Sequence, residues 1–474
     1  MYPASQTMSF LHSICAGPQT EIFAVAEQIF VYFGAAHRLL RITAGRPKWE
    51  VRTVRLHPPG NPTILVSQME PTALASLLQQ CGAASAEPVR IRTMQAVAER
   101  PVVRRLYLDI TLDCNLRCRY CYVAGARRQL PTQMPEPTAL RAVDWLLEQG
   151  DDRLPLQLRF FGGEPLLRPE LLRRVIRYGQ QQSHRRGLRL EYFLSTNGTL
   201  LDPDLARFLH DQGVLVKVSL DGSQATHDAY RVDAEGRGSY AATVRGLRVA
   251  QQAGLRPTVC VTSGGLSPGE REAALDTIRR LGIEDVQWQR VVAEDGSDER
   301  VDESRDDLPL AARAWESLLL GDDRYLTLFA MPIRKLLDPV RVFPGCGAGL
   351  QSLTVTPDGE FCFCQRFLRA PHYRLGSLDQ GCDYGKLRAL LGGLYRSQWQ
   401  RCRACPLVFF CSKGCYYAND RQTGDVAGIA PGYCRLVRSG FRATAWLAFN
   451  LAEHFPAKLR EMLMRKTFLE VEHG

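Results

Sequence analysis

The sequence contains no long apolar run. No stretch of about eighteen consecutive apolar residues occurs in the 474-residue chain, so no segment is expected to span a bilayer. The first residues, MYPASQTMSFLHSICAG, also lack the basic segment followed by an unbroken apolar segment that is typical of a secretory signal. These absences predict a cytoplasmic protein.

Lysine is scarce, although the chain is basic. The net charge is +10 and the isoelectric point is near 9.0, yet only seven of the 60 basic residues are lysine. The arginines are scattered among Asp and Glu, and no block of about five or six like charges occurs. A general preference for arginine explains the excess better than a nucleic-acid surface does. We therefore expect neither a nucleic-acid nor a membrane partner.

Cysteine, in contrast, is abundant. The chain has fifteen cysteines, and in a reducing compartment clustered cysteines are typical of metal or redox sites rather than of disulfides. One group falls within DITLDCNLRCRYCYVAG, residues 109–125, and a second falls between residues 346 and 434. These two groups are the first candidates for the chemistry of the protein.

The chain divides into four predicted regions. Residues 1–100 contain the β-like runs EIFAVAEQ, IFVYFGA and HRLLRIT and the helix-like stretch EPTALASLLQQCG, which predict an accessory α+β domain. Residues 101–325 alternate between strands and helices. Residues 340–440 are rich in cysteine and turns, so we expect metal centres to hold them together. Residues 441–474 have helical periodicity and should pack against another domain.

Repeated strand–helix units in the second region predict a parallel sheet with right-handed crossovers. Helix-length segments such as TALRAVDWLLEQ and LARFLHDQG follow the strand-like runs, and LDCNLRC, GGEP, STNG and SLDG follow the first four runs. Such sheets present their functional groups at the carboxyl ends of the strands. The acidic segment 293–307 is either a mobile loop over that face or a solvated linker. The six runs are LYLDITL, LPLQLRFF, LRLEYFLS, VLVKVSL, RPTVCVT and VQWQRVV.

The first cysteine group has the spacing C-x3-C-x2-C, at Cys114, Cys118 and Cys121. Thiolates with this spacing can hold one face of a small iron–sulfur cluster. A structural zinc site requires a fourth protein ligand, and none lies nearby in the sequence. A cluster with three cysteines leaves one iron open to a small molecule. The alternative is a structural βα fold with a zinc or disulfide loop.

This loop resembles the hallmark of the radical S-adenosylmethionine (SAM) enzymes, with Tyr120 as the aromatic residue before the third cysteine. The resemblance implies a partial (βα)6 TIM-like barrel, of class α/β, in which Cys114, Cys118 and Cys121 bind a catalytic 4Fe–4S cluster. In that family SAM binds the open iron and is cleaved to a 5′-deoxyadenosyl radical, which abstracts a substrate hydrogen, and the resemblance implies the same reaction here.

The motifs at the strand ends resemble the SAM-binding elements of the same family. In GGEP the glycines allow a close backbone approach, and Glu164 supplies an acceptor for an ammonium group. STNG and SLDG resemble the residues that contact ribose and methionine, and Arg231 is a candidate partner for a carboxylate. The resemblance therefore implies a set of SAM contacts formed by Tyr120, Gly162, Gly163, Glu164, Pro165, Ser195, Asn197, Ser219, Asp221 and Arg231.

The C-terminal cysteines resemble the seven-cysteine SPASM domain of peptide- and protein-modifying radical SAM enzymes. This resemblance implies two auxiliary iron–sulfur clusters of the 4Fe–4S type. A pair of zinc knuckles is the alternative. The implied ligands are Cys346, Cys364 and Cys415 for one cluster, and Cys402, Cys405, Cys411 and Cys434 for the other.

The cluster implied for Cys346, Cys364 and Cys415 lacks a fourth cysteine, because the position that supplies one in several relatives is Val340. The open iron either takes a thiolate from the substrate or recruits a further cysteine of this chain. The candidates for such recruitment are Cys362 and Cys382. Three other cysteines are expected to be ordinary buried thiols, namely Cys15, Cys81 and Cys260.

The stretch CGAGLQSLTVTPDGEFCFCQRF resembles maturases that crosslink ribosomal peptides, especially through thioethers. Anaerobic sulfatase maturases usually carry a catalytic aspartate after the cysteine equivalent to Cys364. This chain has Gln365 there, an amide that takes no proton at neutral pH. The leading hypothesis is therefore a radical SAM peptide or protein maturase that forms an intramolecular crosslink from cysteine sulfur to carbon. One protein-directed version is the maturase of the quinohemoprotein amine dehydrogenase small subunit, which no motif singles out.

Three alternatives to a thioether maturase remain open. The same residues suit carbon–carbon crosslinking, and a formylglycine-forming sulfatase maturase is a second possibility. The third is a non-catalytic iron–sulfur electron carrier. The expected partners of a maturase are a precursor peptide or protein subunit and an electron donor such as flavodoxin or ferredoxin. Residues 1–100 either bind a leader peptide by strand addition or are a family-specific decoration.

Overall fold

Two sheets organise the part of the chain that the computed structural model describes. One is a five-stranded sheet and the other has ten strands. Two segments named in the sequence analysis lie outside the described residues. They are the whole helix-like stretch 70–82 and the acidic segment 293–307 except for its last residue, Asp307. The described residues are 20–25, 28–33, 38–43, 49–57, 61–69, 101–151, 153–263, 268–290, 307–337, 346–408 and 410–464.

The five-stranded sheet is formed by the N-terminal region and is antiparallel throughout, with its strands in chain order. The three apolar runs predicted as β-like form its first three strands, because their β-branched and aromatic residues fit a pleated, half-buried surface. The strands are β1 (Thr20–Val25), β2 (Gln28–Phe33), β3 (Arg38–Thr43), β4 (Trp49–His57) and β5 (Asn61–Met69).

Six strands of the ten-stranded sheet form the predicted parallel barrel segment. They run in chain order, and each strand is hydrogen-bonded in parallel to the next. The predicted α/β fold class is confirmed, and all six strand-like runs become strands. The strands are β6 (Arg105–Thr111), β7 (Leu156–Gly162), β8 (Leu190–Thr196), β9 (Leu215–Ser219), β10 (Thr258–Ser263) and β11 (Val286–Arg290).

Helices connect these strands, as the 3.6-residue periodicity of the intervening segments predicted. The helix that follows β8 begins where the Asp202 carboxylate accepts the Leu205 N–H at 2.8 Å, a common N-terminal cap. The helices as far as the end of the barrel are α1 (Val123–Arg127), α2 (Glu136–Glu148), α3 (Pro169–Arg185), α4 (Pro203–Asp211), α5 (Gln224–Tyr230), α6 (Tyr240–Gln252), α7 (Pro268–Arg280), α8 (Leu308–Leu319) and α9 (Thr327–Leu337).

The cysteine-rich region continues the same sheet. Its first strand pairs in parallel with β6, with Leu353 opposite Leu106, and the next three strands add in antiparallel order. The C-terminal cysteines are therefore joined to the strand that precedes the first cysteine loop. The elements are β12 (Ser352–Val355), β13 (Glu360–Cys362), β14 (Arg374–Ser377), β15 (Gly381–Cys382), α10 (Tyr384–Cys402), α11 (Tyr416–Thr423), α12 (Tyr433–His454) and α13 (Pro456–Met464).

The helical tail packs against the N-terminal sheet, so the predicted packing of the tail against another region is confirmed. The rings of Phe23 and Phe441 lie 5.9 Å apart and edge-on, and the Arg41 guanidinium bonds to the Glu453 carboxylate at 2.6 Å. One hydrophobic core runs from this sheet through the barrel to the C-terminal helices. The predicted domain boundaries remain predictions.

In the part of the chain that the structure describes, none of the helices combines the length and the apolar character that crossing a membrane requires.

Candidate functional site

The first cysteine loop follows β6 and is fixed by backbone hydrogen bonds. The Arg117 N–H donates to the Val232 carbonyl at 2.6 Å, and the Arg119 N–H donates to the Tyr230 carbonyl at 2.9 Å. The segment that follows α5 thus lies alongside the loop like a short strand. This pairing orients the cysteines from outside the loop itself.

The two glycines of GGEP let β7 approach the same loop. The Gly163 N–H donates to the Thr111 carbonyl at 2.7 Å, and the Glu164 N–H donates to the Asp113 carbonyl at 2.8 Å. Gly162 has a φ of +119°, and a Cβ at either glycine would lie 2.1 Å from a backbone oxygen of the loop. Only glycine fits at these positions. The close approach predicted for the glycines is therefore made to the cysteine loop.

Glu164 is buried and its carboxylate is bonded by three groups of the chain. It accepts from the Leu166 N–H at 2.9 Å, from the Thr196 hydroxyl at 2.7 Å and from the Asn197 N–H at 2.7 Å. Burial raises the pKa of Glu164 to about 7, although these bonds oppose the rise. The carboxylate therefore ties the end of β7 to the end of β8. Pro165 begins the 3-10 turn that follows.

Asn197 ties the end of β8 to the cysteine loop. Its amide nitrogen donates to the Asn115 side chain at 2.9 Å and lies 3.9 Å from the Cys114 sulfur. Its amide oxygen accepts from the Thr199 N–H at 2.9 Å, and the Asn115 amide donates to the Thr199 hydroxyl at 2.8 Å. The predicted site residue Asn197 is thus part of a bonded network that includes residues the sequence analysis missed.

Asp221 forms a buried ion pair with Arg231. The Arg231 Nε donates to Asp221 at 2.7 Å, and only 1% of Asp221 is exposed. Asp221 also accepts from the Tyr120 hydroxyl and from the Thr262 N–H. The Arg231 guanidinium lies 5.4 Å from the centre of the Tyr120 ring. Three residues predicted separately as SAM contacts therefore form one network that positions Tyr120 beside the cysteines.

A buried histidine supports this network and was not predicted. His227 has no exposed surface, its Nδ1 accepts from the Asp221 N–H at 3.2 Å, and its Nε2 lies 2.9 Å from the Ser239 hydroxyl. Burial lowers the pKa of His227 to about 4, so the ring is neutral at physiological pH. His227 lies in HDAYR, the stretch that also contains Arg231, but no sequence pattern indicated its role in this network.

One cleft brings most of the predicted residues together. Pro165 and Asp221 are not among the residues that line the cleft. Thr262 and Gln289 also line it, and both lie at the ends of barrel strands, where the strand-end rule would have found them. Arg366 lines it from the cysteine-rich region. The predicted residues in the lining are Cys114, Cys118, Tyr120, Cys121, Gly162, Gly163, Glu164, Ser195, Asn197, Ser219 and Arg231.

The first three cysteines are neighbours at this cleft. Burial raises the pKa of Cys114 to about 12 and that of Cys118 to about 11, and the neighbouring thiols add to both shifts. Free thiolates are therefore unfavourable here without a cation. Within the described part of the chain the cleft offers three thiols and no fourth cysteine, which fits the donor set of a 4Fe–4S cluster with one open iron.

The C-terminal cysteines fall into two further groups. Burial raises the pKa of Cys364, and the thiols of Cys346 and Cys415 raise it further. Burial likewise raises the pKa of Cys402 to about 11, against the effect of Lys413 and together with three neighbouring thiols. Those three thiols belong to Cys405, Cys411 and Cys434. The grouping matches the predicted one, whereas ligation of clusters by these groups remains a prediction.

Among the residues that the structure describes, no set of three or more His, Cys, Asp or Glu side chains is already arranged for a single metal ion. Cys362 is buried and lies beside the Cys364 carbonyl, Arg374 and Asp109. Cys382 lies beside Asp383. Recruitment of Cys362 or Cys382 by the group of Cys346, Cys364 and Cys415 remains a prediction. Cys260 is buried, as expected, and Cys15 and Cys81 lie outside the described residues.

A second cavity adjoins the cleft. It has a volume of about 400 Å³ and shares Gln289 with the cleft. From there it extends between β11, α8, α9 and α12 to Cys411 and Ser412 of the four-cysteine group. The ammonium of Lys335, which also lines it, donates to the Ser412 hydroxyl at 2.7 Å. This cavity is therefore lined both by the end of β11 and by Cys411 of the four-cysteine group.

Comparison with known proteins identifies the class of this site. Residues 108–282 match the radical SAM superfamily, and these residues contain the end of β6, the first cysteine loop and the strands β7 to β10. Residues 108–282 are therefore a radical SAM domain, and the chain that carries this domain is an enzyme. A 4Fe–4S cluster and SAM are the cofactors of this class.

Particular relatives narrow the comparison. The chain is 25% identical over 329 residues to a serine-type anaerobic sulfatase-maturating enzyme of Klebsiella aerogenes, covering 64% of this chain and 76% of that protein. Its fold resembles that of anSMEcpe with bound AdoMet, with a TM-score of 0.64, 19% identity and coverage of 77% and 98% of the two chains. It also resembles Streptococcus suis SuiB bound to the precursor peptide SuiA, with a TM-score of 0.51, 14% identity and coverage of 75% and 80%.

Proposed function

We propose that this protein is a radical SAM maturase that modifies a ribosomal peptide or a protein subunit and forms an intramolecular thioether between a cysteine sulfur and a carbon atom. One observation carries the proposal. Among the described residues, three thiols of one loop line a single cleft, and a second cavity that shares Gln289 with this cleft reaches Cys411 of the four-cysteine group. A simple electron carrier has no need of an open iron or of a substrate cavity.

In this proposal Cys114, Cys118 and Cys121 hold the catalytic cluster, and SAM binds in the cleft. When bound, the cluster and SAM together supply the radical that removes a hydrogen atom from the substrate. Ser195 and Ser219 are then free to bond to SAM, since both line the cleft. The buried Asp221–Arg231 pair acts indirectly, because it holds the Tyr120 ring beside the cluster loop.

The C-terminal cysteines hold two auxiliary clusters in this proposal. Cys346, Cys364 and Cys415 would hold one of them, and the substrate thiolate would take the place of a fourth cysteine. The second cavity admits the substrate from the side of the four-cysteine group. Formation of the sulfur–carbon bond releases one electron besides the hydrogen atom and the thiol proton, and the auxiliary clusters, when bound, would take it up. An electron donor such as flavodoxin or ferredoxin would supply the electron for SAM cleavage.

Formylglycine formation is the second candidate, and the sulfatase-maturating relatives favour it. The residue at position 365 argues against it. Gln365 lies directly after Cys364, whose thiol lies 3.4 Å from the Gln365 amide oxygen. An amide does not accept a proton at neutral pH, so the aspartate base that sulfatase maturases usually carry there is missing.

The test of the proposal begins with SAM cleavage. Protein reconstituted with iron and sulfide without oxygen, then reduced, should release 5′-deoxyadenosine from SAM. Cys118→Ala should abolish this release because it removes a cluster ligand. The matched control is Cys260→Ala, which removes a buried thiol outside all three groups and should leave the release intact. Clusters without any SAM cleavage in the wild type would favour an electron carrier.

Product mass and cysteine alkylation together distinguish the two maturase reactions, because formylglycine formed from serine also loses two hydrogens but leaves the cysteine open to alkylation. The substrate to test is the cysteine-containing polypeptide encoded beside the gene. A thioether crosslink lowers its mass by two hydrogens and protects the cysteine from alkylation. Formylglycine formed from cysteine instead removes the sulfur. Loss of sulfur from the product would therefore contradict the thioether proposal and support sulfatase maturation.

A further inference from the structure

Two lysines hold their ammonium groups against the segment that carries Cys411, in a chain with only seven lysines. Lys413 is 4% exposed, and its ammonium donates to the Val408 carbonyl and, at 2.9 Å, to the Cys411 carbonyl. The ammonium of Lys335 donates to the Ser412 hydroxyl at 2.7 Å. Two positive charges therefore adjoin the four-cysteine group.

These two charges have no carboxylate beside them in the described part of the chain. The electrostatic neighbours of Lys413 are the thiols of Cys402, Cys405 and Cys411. Those of Lys335 are Cys346, Cys411 and the ammonium of Lys413. A buried charge is costly unless an opposite charge compensates it. Among these neighbours only the cysteines can supply negative charge, and they do so as thiolates when they ligate a metal cluster.

The first cysteine group has different surroundings, because buried carboxylates lie next to it. Glu164 is an electrostatic neighbour of Cys114, and Asp221 is an electrostatic neighbour of Cys118. Arg231 also lies near Cys118, but its Nε donates to the Asp221 carboxylate at 2.7 Å, so these two charges compensate each other. Together the three buried side chains give the first group no net positive charge.

The group of Cys346, Cys364 and Cys415 is intermediate. Arg366, which lines the cleft, is an electrostatic neighbour of Cys364 and Cys415, and the largest electrostatic effects on it come from thiols and tyrosines rather than from carboxylates. Lys335 is a more distant neighbour of this group, through Cys346. Neighbouring positive charge thus increases from the first group, through this one, to the four-cysteine group.

Neighbouring charge affects how readily an iron–sulfur cluster accepts an electron. Reduction adds one negative charge to the cluster, so a nearby cation stabilises the reduced form and a nearby carboxylate destabilises it. Both effects are larger in the protein interior than in water, because the interior has the lower effective dielectric constant. The surroundings of the three groups therefore predict that the reduction potential rises from the first group to the four-cysteine group.

We propose that Lys335 and Lys413 give the four-cysteine cluster the highest reduction potential in the enzyme and thereby make it the acceptor of the electron released during crosslinking. The inference rests on the proposed maturase function. In that reaction a sulfur–carbon bond replaces an S–H bond and a C–H bond. One hydrogen atom goes to the 5′-deoxyadenosyl radical, one proton goes to solvent and one electron goes to this cluster. The two lysines act through the cluster, as charges held at fixed positions.

The decisive measurement is the midpoint potential of the four-cysteine cluster in the reconstituted full-length protein, followed by electron paramagnetic resonance without SAM or substrate. The signal of this cluster is the one that Cys411→Ala removes. Lys413→Gln removes the charge but keeps a side-chain donor for the two carbonyls. We expect the equilibrium constant for reduction of this cluster to fall about tenfold, which is about 59 mV for one electron. The other two clusters should keep their potentials.

Lys335 supplies a test that separates charge from packing. Lys335→Gln should lower the same midpoint. Lys335→Arg keeps the charge, has room in the adjoining cavity of about 400 Å³ and should keep the wild-type midpoint. A purely structural role would not make the potential follow the charge in this way. The matched control is Lys386→Gln, which removes an exposed lysine of α10 that bonds to the Arg374 carbonyl and should change no midpoint.

The outcomes separate this proposal from the proposed function. A four-cysteine cluster that is not the most readily reduced of the three, or whose midpoint stays unchanged in Lys413→Gln and Lys335→Gln, overturns the role of the lysines and leaves the maturase function standing. Zinc in place of this cluster, found by metal analysis, also overturns it. If the wild type cleaves no SAM, the function itself is wrong. Should Lys413→Gln fail to hold iron, the two Lys335 variants decide.

Discussion

The two cysteine-bearing regions of this molecule are held in place by different means. At the barrel cleft, hydrogen bonds from three strands and from the segment after α5 fix the cysteine loop. In the C-terminal region the cysteines lie at the ends of helices and on turns, for example Cys402 at the end of α10 and Cys415 before α11. The sheet therefore shapes the first site, whereas the second depends more on whatever the thiols bind.

Lys413 illustrates the difference. It is buried, has a φ of +57°, and directs its ammonium to the carbonyls of Val408 and Cys411. A positive φ in a residue other than glycine is uncommon and strained. In the barrel the corresponding sharp turn is made by Gly162. The turn that carries the four cysteines thus buries the Lys413 ammonium next to their thiols. This positive charge suits a bound metal cluster, whose cysteine ligands are negatively charged thiolates.

The largest expected effect comes from removing one cysteine in each region. Cys411→Ala should lower the iron content and cause residues 402–434 to lose protection from amide hydrogen exchange, because the metal supplies much of the folding energy there. Cys118→Ala should abolish SAM cleavage and leave the protection of the barrel strands unchanged. Equal loss of protection in the two regions would contradict the comparison. Cys382→Ala, outside both groups, is the control.

The second-largest effect is expected from breaking the buried ion pair between Asp221 and Arg231. Asp221→Ala leaves the Arg231 guanidinium buried without its partner, and such a loss costs about 3–5 kcal/mol. We expect a lower thermal midpoint and weaker SAM binding by calorimetry, since Tyr120 loses its support. Asp379→Ala breaks the exposed pair with Arg141 and should leave the midpoint unchanged. A stable Asp221→Ala protein that binds SAM normally would show that the network does not position the site.

A smaller effect is expected from the close contact between β7 and the cysteine loop. In Gly163→Ala the new Cβ meets the Asp113 carbonyl oxygen at 2.1 Å, so the loop must shift, at a cost of about 1–3 kcal/mol. SAM binding and thermal stability should fall together. Gly392→Ala in α10 adds a methyl group where nothing lies within 4 Å and should stabilise the helix by up to about 1 kcal/mol. Normal SAM affinity in Gly163→Ala would exclude the proposed contact.

The smallest effect concerns pH. Since burial lowers the pKa of His227 from 6.5 to about 4, the unfolded chain binds a proton in this range that the folded chain does not. Stability is therefore lost as the pH falls from about 6.5, by about 1 kcal/mol over the first unit. His227→Asn keeps an acceptor for the Asp221 N–H and should reduce this pH dependence of the thermal midpoint. An unchanged dependence would assign it to other groups.

Much of the fold could be predicted from residue patterns. The six βα units, the first three N-terminal strands and the cysteine groups all follow from local periodicity and spacing, because strands and helices bury apolar residues at fixed intervals. Two features did not follow. The extension of the barrel sheet by β12 joins residues far apart in the chain, and the neutral His227 is a helix residue like any other until its burial against Asp221 is known.

The candidate site shows the same limit. The sequence motifs identified most residues at the cleft, since catalytic groups gather at the ends of parallel strands. They did not indicate that Asp221 and Arg231 bond to each other, or that Glu164 is already bonded by three groups of the chain. Such partners depend on distances between separate strand ends, and no local pattern encodes those distances.

The amino-acid sequence by itself determined the class of chemistry, because the spacing of three cysteines on one loop decides which cluster they can hold. Only the tertiary structure decided which side chains are left without partners inside the protein. Asp109 is an ordinary polar residue in the strand pattern LYLDITL, and only the fold shows that it has no exposed surface and no hydrogen-bond partner in the described part of the chain. Exclusion of water depends on packing from several directions, and it is therefore a property of the folded chain alone.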